Sequence, residues 1–172
     1  MAQLPALSDT SQQLPITEEY FTELCSRFMD KKNLSILNAI TLEPTFYLEK
    51  TGCHLLDTWY DYERKLRIAL GQLRALRMKK NFVGNDIVVD SDIMQLAKTA
   101  LGFDSPLEAE QYINSIRLAK INSLWPTDNF STEAIFAYGL KLKLLNRIAR
   151  FNEEKGMASY RKIYDRILGD QK

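Results

Sequence analysis

The chain is poor in the residues that carry most enzyme chemistry. Its 172 residues include one histidine, His54, and two cysteines, Cys25 and Cys53. That count excludes three-histidine and Cys/His zinc centres within a single chain. Neither cysteine belongs to a CxxC pair, and two are too few for a disulfide scaffold, so reduced thiols are expected. Seven glycines form no GxGxxG, P-loop or GxSxG pattern, which leaves no phosphate-cradling or nucleophile-elbow turn. The acidic run from Asp86 to Asp92 lacks the glycine and distal glutamate of a calcium loop. Long apolar runs are missing too. The longest, Ala134–Leu140, falls far short of the ~20 residues a membrane-spanning helix needs. The first basic residue is Arg27, so no targeting segment is read at the N-terminus and direct membrane insertion is not expected.

Carboxylates occur in pairs at Glu18/Glu19, Glu108/Glu110 and Glu153/Glu154. All fall at predicted helix ends or on solvated faces, where they complement helix dipoles rather than perform acid–base work. His54 falls in the first turn of a predicted helix, an ordinary place for a polar residue. The reading is therefore a protein without catalytic, metal-binding or cofactor-binding residues.

What the chain does hold is apolar periodicity and segregated charge. Hydrophobic residues make up 45% and charged residues 26%, the composition of a globular protein rather than a disordered one. The formal net charge of +1 conceals alternating blocks. Residues 1–60 carry net −4, residues 61–80 net +5, residues 81–133 net −5 and residues 134–172 net +5. Basic charge thus concentrates in two segments.

Helical signals follow one another along the chain. Residues 1–16 read as an irregular leader, with Pro5, Pro15 and the polar run Ser8–Gln13. Residues 17–172 read as a single helical domain. Thr17 caps a helix bearing Glu18 and Glu19 in its first turn, followed by Tyr20, Phe21, Leu24, Cys25 and Phe28 at helical spacing. Asp30 caps a short second helix. A long helix at about 53–80 carries Leu55, Trp59, Tyr62, Leu66, Ala69, Leu73 and Leu76 at alternating spacings of four and three, while Gly71 within it costs about 1 kcal/mol relative to alanine. Gly84-Asn85 marks either a small hairpin or a plain loop. Asp90 or Ser91 starts a helix ending at Gly102. Ser105-Pro106-Leu107-Glu108 is a capping box with proline at the first helical position, opening a helix that stops before Pro126. A second long helix, at about 131–154, has two apolar seams. Ile135, Tyr138, Leu142, Leu145 and Ala149 form one; Ala137, Leu140, Leu144, Ile148 and Phe151 form the other. Tyr160, Ile163, Tyr164 and Ile167 stripe a last helix. The expectation is an all-α, single-domain bundle of about seven helices, with the two-faced helix at its centre.

Two basic stripes lie beside these seams: Arg64, Arg67 and Arg74 on one long helix, Lys143, Arg147 and Arg150 on the other. Three readings compete for them: a solvated face, a dock for an acidic protein surface, and a phosphate-binding surface. Nucleic acid is the least favoured of the three, because acidic segments intervene and no nucleic-acid-binding motif is present.

Four stretches resemble a known family in the order that family shows them. Ala2-Gln3-Leu4-Pro5 resembles an A-x-L-P signature. Trp59 through Arg67, followed by Arg74-Ala75, resembles a W-x-x-[FW]-E-x-x-L-R…R-A helix. Ser105 through Glu110 resembles an S-P-L-E-A-E helix start. Ala137 through Asn152, closing at Gly156, resembles a Y-x-L-K-L-x-L-x-x-R-x-x-x-[FW] helix. The family is an uncharacterised bacterial one encoded beside V-type ATPase genes, itself a distant analogue of that enzyme's C (or d) stalk subunit. It carries an aromatic-rich apolar run ahead of the A-x-L-P signature, which does not precede Ala2 here.

The resemblance implies a non-catalytic stalk, accessory or assembly component of a rotary, ion-translocating V-type ATPase, cytoplasmic and peripheral to the membrane only through that complex. Its partners would be V-type ATPase subunits, contacted through acidic or amphipathic helices. The anchor candidates are Tyr60, Arg64, Arg67, Arg74, Lys143, Arg147 and Arg150, each of which has an intramolecular ion pair as its alternative role. The runner-up function is a stand-alone helical adaptor that binds nucleic acid or another acidic ligand through the same basic faces.

Overall fold

In the computed structural model, residues 4–9, 14–45, 49–82 and 87–150 are described. They form six helices: α1 (Glu18–Ser26), α2 (Lys31–Asn38), α3 (His54–Arg77), α4 (Ser91–Gly102), α5 (Pro106–Ser123) and α6 (Thr132–Arg150). The fold is an all-α, single-domain bundle, and no strand occurs among the described residues. The expected last helix and the tail of the two-faced helix, with Phe151, lie outside the described residues, as does the Gly84-Asn85 turn.

Local chemistry accounts for the helix starts. The Thr17 side chain accepts from Tyr20 N–H at 3.2 Å and Asp30 accepts from Asn33 N–H at 3.0 Å. Ser105 accepts from Glu108 N–H at 3.4 Å, directly ahead of Pro106. Each satisfies one of the orphan amides of a first turn. Asp90 departs from this pattern. It stands at the N-cap of α4 without a side-chain cap bond, because its carboxylate takes the Lys65 ammonium of α3 at 3.0 Å instead.

The apolar core has two parts. One joins α1, α2, the first half of α3, the end of α5 and α6, around Phe21, Leu37, Leu56, Trp59, Ile121, Leu140 and Leu144. The other joins the second half of α3 to α4 and the start of α5, through Leu66, Ala69, Leu70, Ile93, Ala97, Ala100 and Ile113. The heptad seam of α3 holds as far as Leu73, which is partly buried. Leu76 departs from it, with 74% exposure. Buried Leu56, Tyr60, Glu63, Ile68 and Leu70 make the covered face wider than a two-helix seam.

Helix α6 is central. It packs against α1, α2, α3 and α5, and from Ala134 to Leu145 only Ile135 and Lys143 escape full burial. Gly139 permits this closeness: a Cβ there would stand 3.1 Å from Phe21 Cε1 and 3.2 Å from Leu37 Cδ1. Gly71 has a similar reason, since the Phe82 ring lies over it and a Cβ would meet Phe82 Cε2 at 2.7 Å. The leader contains no helix in its described part, yet it is not loose. Leu4, Leu7 and Leu14 pack on the first core cluster, and Tyr138 O–H donates to the Pro5 carbonyl at 2.9 Å.

Candidate docking cleft

Where the two core clusters meet, the interior is charged. Glu63 of α3, fully buried, accepts from Arg117 of α5 through Nε at 3.0 Å and Nη2 at 2.7 Å. Arg67, one turn further along α3, donates to the same carboxylate at 2.8 Å and to the Leu42 carbonyl at 3.1 Å. Asn114 accepts from Arg117 Nη1 at 3.3 Å. Burying one carboxylate costs several kcal/mol unless its lone pairs are taken up by close donors, and here three charge-assisted bonds take them up.

The network continues outward. Glu110 of α5 takes Arg147 of α6 at 3.1 Å and lies 3.8 Å from Arg117 Nη1. Glu43, in the connector between α2 and α3, stands 3.8 Å from both Arg67 Nη2 and Arg147 Nη1. Above these pairs opens a cleft of about 650 Å³, lined by Glu43, Pro44, Thr45, Arg64, Arg67, Leu70, Gly71, Arg74, Glu110, Ile113, Arg117 and Arg147. Five arginines therefore converge from α3, α5 and α6. A neighbouring groove of about 670 Å³ shares Glu43 and Arg147 with it and is also lined by Lys143 and Arg150. The two depressions adjoin at Glu43 and Arg147.

The expected site residues divide cleanly. Arg64, Arg67, Arg74 and Arg147 meet in the cleft, while Lys143 and Arg150 line the adjoining groove. Tyr60 is corrected: it is 2% exposed, and its hydroxyl accepts from Thr41 N–H at 3.3 Å, so it anchors the α2–α3 connector and presents nothing to a partner. Its position one residue past Trp59 put it outside the seam on paper. The connector covers that side of the helix, and burial pushes the Tyr60 phenol up from its ordinary pKa.

Arg67, Arg147 and Lys143 are engaged internally, Lys143 with Glu18 at 3.3 Å. Arg64, Arg74 and Arg150 make no ion pair with any described residue. The sequence reading gave no site role to Glu63, Arg117 and Glu43, and it read Glu110 as a helix-end or solvated carboxylate where the structure pairs it with Arg147. The signal for two of them was present: Glu63 sits between Trp59 and Leu66 on an apolar stripe, and Arg117 lies at four-residue spacing between Ile113 and Ile121.

Among the described residues, no three histidine, cysteine or carboxylate side chains stand close enough to hold a metal ion. His54 opens α3 and is exposed, and both cysteines are free and buried. Cys53 Sγ lies 3.8 Å from Glu133 Oε1, and burial, aided by that carboxylate, pushes its thiol pKa up, away from the reactive thiolate. No helix among the described residues is long and apolar enough to cross a membrane.

Residues 101–170 match the model of a family described as "Protein of unknown function (DUF2764)". The matched region is under half of the chain. It takes in α5 and α6, with Glu110, Arg117 and Arg147, and leaves out α3, with Arg64, Arg67 and Arg74. The family description names no activity and no partner. No curated protein and no solved structure matches the chain.

Proposed function

We propose that this protein is a non-catalytic docking component that receives an acidic segment of a partner protein in the arginine cleft. The observation that carries the reading is the convergence of Arg64, Arg67, Arg74, Arg117 and Arg147 from three helices onto one concave surface. Guanidinium groups suit this task because each presents planar, bidentate donors and remains charged. The buried Glu63 beneath them holds Arg67 and Arg117 in place, so part of the surface is organised before any ligand arrives. Arg64 and Arg74, with no ion pair to a described residue, are the groups left to attract an anion.

The sequence resemblance supplies the setting: a rotary V-type ATPase, in which this chain serves as an accessory, stalk or assembly component. Rigid packed helices and charged docking surfaces fit such a role, which requires shape and affinity and no reaction. The test is co-purification from cells that produce both the protein and the ATPase. The expected outcome is recovery with the intact complex or an assembly intermediate, and loss of that recovery in an Arg64→Glu/Arg74→Glu variant that keeps its fold. Absence from both intact complex and intermediates would remove the ATPase assignment.

A further inference from the structure

Three carboxylates face the arginine cleft or lie beneath it, and they are held very differently. Glu63 is buried and triply bonded; Glu110 is within 3.1 Å of Arg147. Glu43 is 69% exposed and reaches its two arginines only at 3.8 Å, beyond hydrogen-bond distance. Both arginines have better partners elsewhere, Arg67 in Glu63 and the Leu42 carbonyl, Arg147 in Glu110. Withdrawing Glu43 would therefore leave no guanidinium unpaired.

The backbone around Glu43 is pinned. Its N–H donates to Thr41 Oγ1 at 3.0 Å, Thr41 N–H is held by Tyr60, and the Leu42 carbonyl is held by Arg67. Pro44, next along, is buried. The side chain can swing out without moving the connector that carries it.

On the proposed docking reading, we infer that Glu43 is a displaceable stand-in for the ligand: its carboxylate occupies the cleft between Arg67 and Arg147, and an acidic peptide segment docks by exchanging with it. The incoming carboxylate takes over the Arg67/Arg147 position while further carboxylates meet Arg64 and Arg74. Those two arginines lie ten residues apart on α3, or about 15 Å along its axis. A helical segment of about ten residues, or an extended one of four to five, spans that distance. Glu110 and Glu43 at the rim disfavour a continuous polyphosphate, whose every unit is charged, and tolerate the intermittent charge of a peptide.

Fluorescence anisotropy with a fluorescein-labelled peptide of about ten residues, carrying glutamate at roughly every third position with neutral residues between, tests the exchange at low salt. Glu43→Gln should tighten binding roughly two- to tenfold, the effect of removing two exposed ion pairs that compete with the ligand. Arg64→Glu/Arg74→Glu should weaken it at least about tenfold, with Arg64→Gln/Arg74→Gln in between. Unchanged or weaker binding by Glu43→Gln, together with loss in the arginine variants, would overturn the exchange and leave docking standing. Unchanged binding by the arginine variants would overturn the docking reading itself. Tighter binding of a single-stranded oligonucleotide of equal charge at the same salt would overturn the peptide as the ligand class.

Discussion

Two places on α6 carry buried or half-buried cations, and the chain treats them in opposite ways. On the leader side, Lys141 is saturated. Its ammonium lies 2.7 Å from Asp9 and 3.0 Å from Asn122, and 6.0 Å from the centre of the Trp125 ring. Asn122 donates to the same Asp9 at 3.1 Å, and Tyr138 clamps Pro5. On the cleft side, the inner arginines are saturated by Glu63 and Glu110, but the rim holds Glu43 at 3.8 Å and leaves Arg64 and Arg74 without an ion pair to a described residue. The first region has spent its charge on holding its own leader; the second retains charge for something else. Basic residues on a helix therefore say little about function until their counter-charges are located.

The largest expected effect lies at the foot of the cleft. Arg117→Leu removes two of the three bonds on the buried Glu63 carboxylate and leaves it only Arg67, which should cost roughly 3 kcal/mol in urea unfolding. Adding Glu63→Leu should recover part of that loss, on the order of 1 kcal/mol, because the under-compensated buried charge is gone. A single-variant cost under about 1 kcal/mol would mean that the charged layer between the two core clusters is not closed as described.

The leader side gives the next effect, and its sign follows from linkage. Burial pushes the Tyr138 phenol up to about 12 from an ordinary 10.0. The unfolded chain releases that proton first as pH rises. The contribution of this phenol should be full below pH 10 and decline as pH rises towards about 12, by at most about 1.4 kcal/mol per pH unit. Tyr138→Phe should make the alkaline decline shallower, with a loss of roughly 1 kcal/mol for the missing bond to Pro5; an unchanged alkaline profile would deny that this phenol contributes.

Asp9 supplies a smaller effect at the other end of the pH scale. Its hydrogen bond to the Lys141 ammonium holds its carboxyl below the ordinary 3.8. A depressed folded pKa contributes stability above the unfolded value, and that contribution disappears as pH falls through the folded one. Because the pair is partly exposed, the contribution is below about 1 kcal/mol. Asp9→Asn should flatten the acid limb by this amount, measured by thermal unfolding between about pH 5 and pH 2.

The smallest expected effect sharpens the contrast most. Replacing Arg64 and Arg74 by alanine should shift stability by no more than about 0.5 kcal/mol, the range of surface substitutions without an internal partner. A larger loss in urea unfolding would show that the fold uses these arginines, as it uses Lys141 on the leader side.

Much of the architecture was legible from residue order. Thr17, Asp30 and Ser105 announced three helix starts because capping is decided within three residues of the cap. The double seam read at about 131–154 announced a central helix, and its described part, α6, is buried on nearly every side. Asp90 stands at the start of α4 as its residue type suggested, but its carboxylate bonds Lys65, twenty-five positions distant, instead of the helix amides, which local reading does not foresee. Tyr60 shows the same at the site. Its exposure depended on the path of the α2–α3 connector, which no periodicity encodes. The basic stripes were visible as composition, yet which arginines had partners was not, because Glu63, Glu110 and Glu43 come from three different segments.

By itself, then, the amino-acid order determined the helices, their caps, the apolar faces and the absence of histidine- and cysteine-rich chemistry, since these depend on residue type and short-range spacing. Tertiary structure decided which charges were neutralised and which were left. Ion pairing depends on distances of a few ångströms between side chains brought together from α3, α5, α6 and the α2–α3 connector, and such distances exist only once the helices have packed.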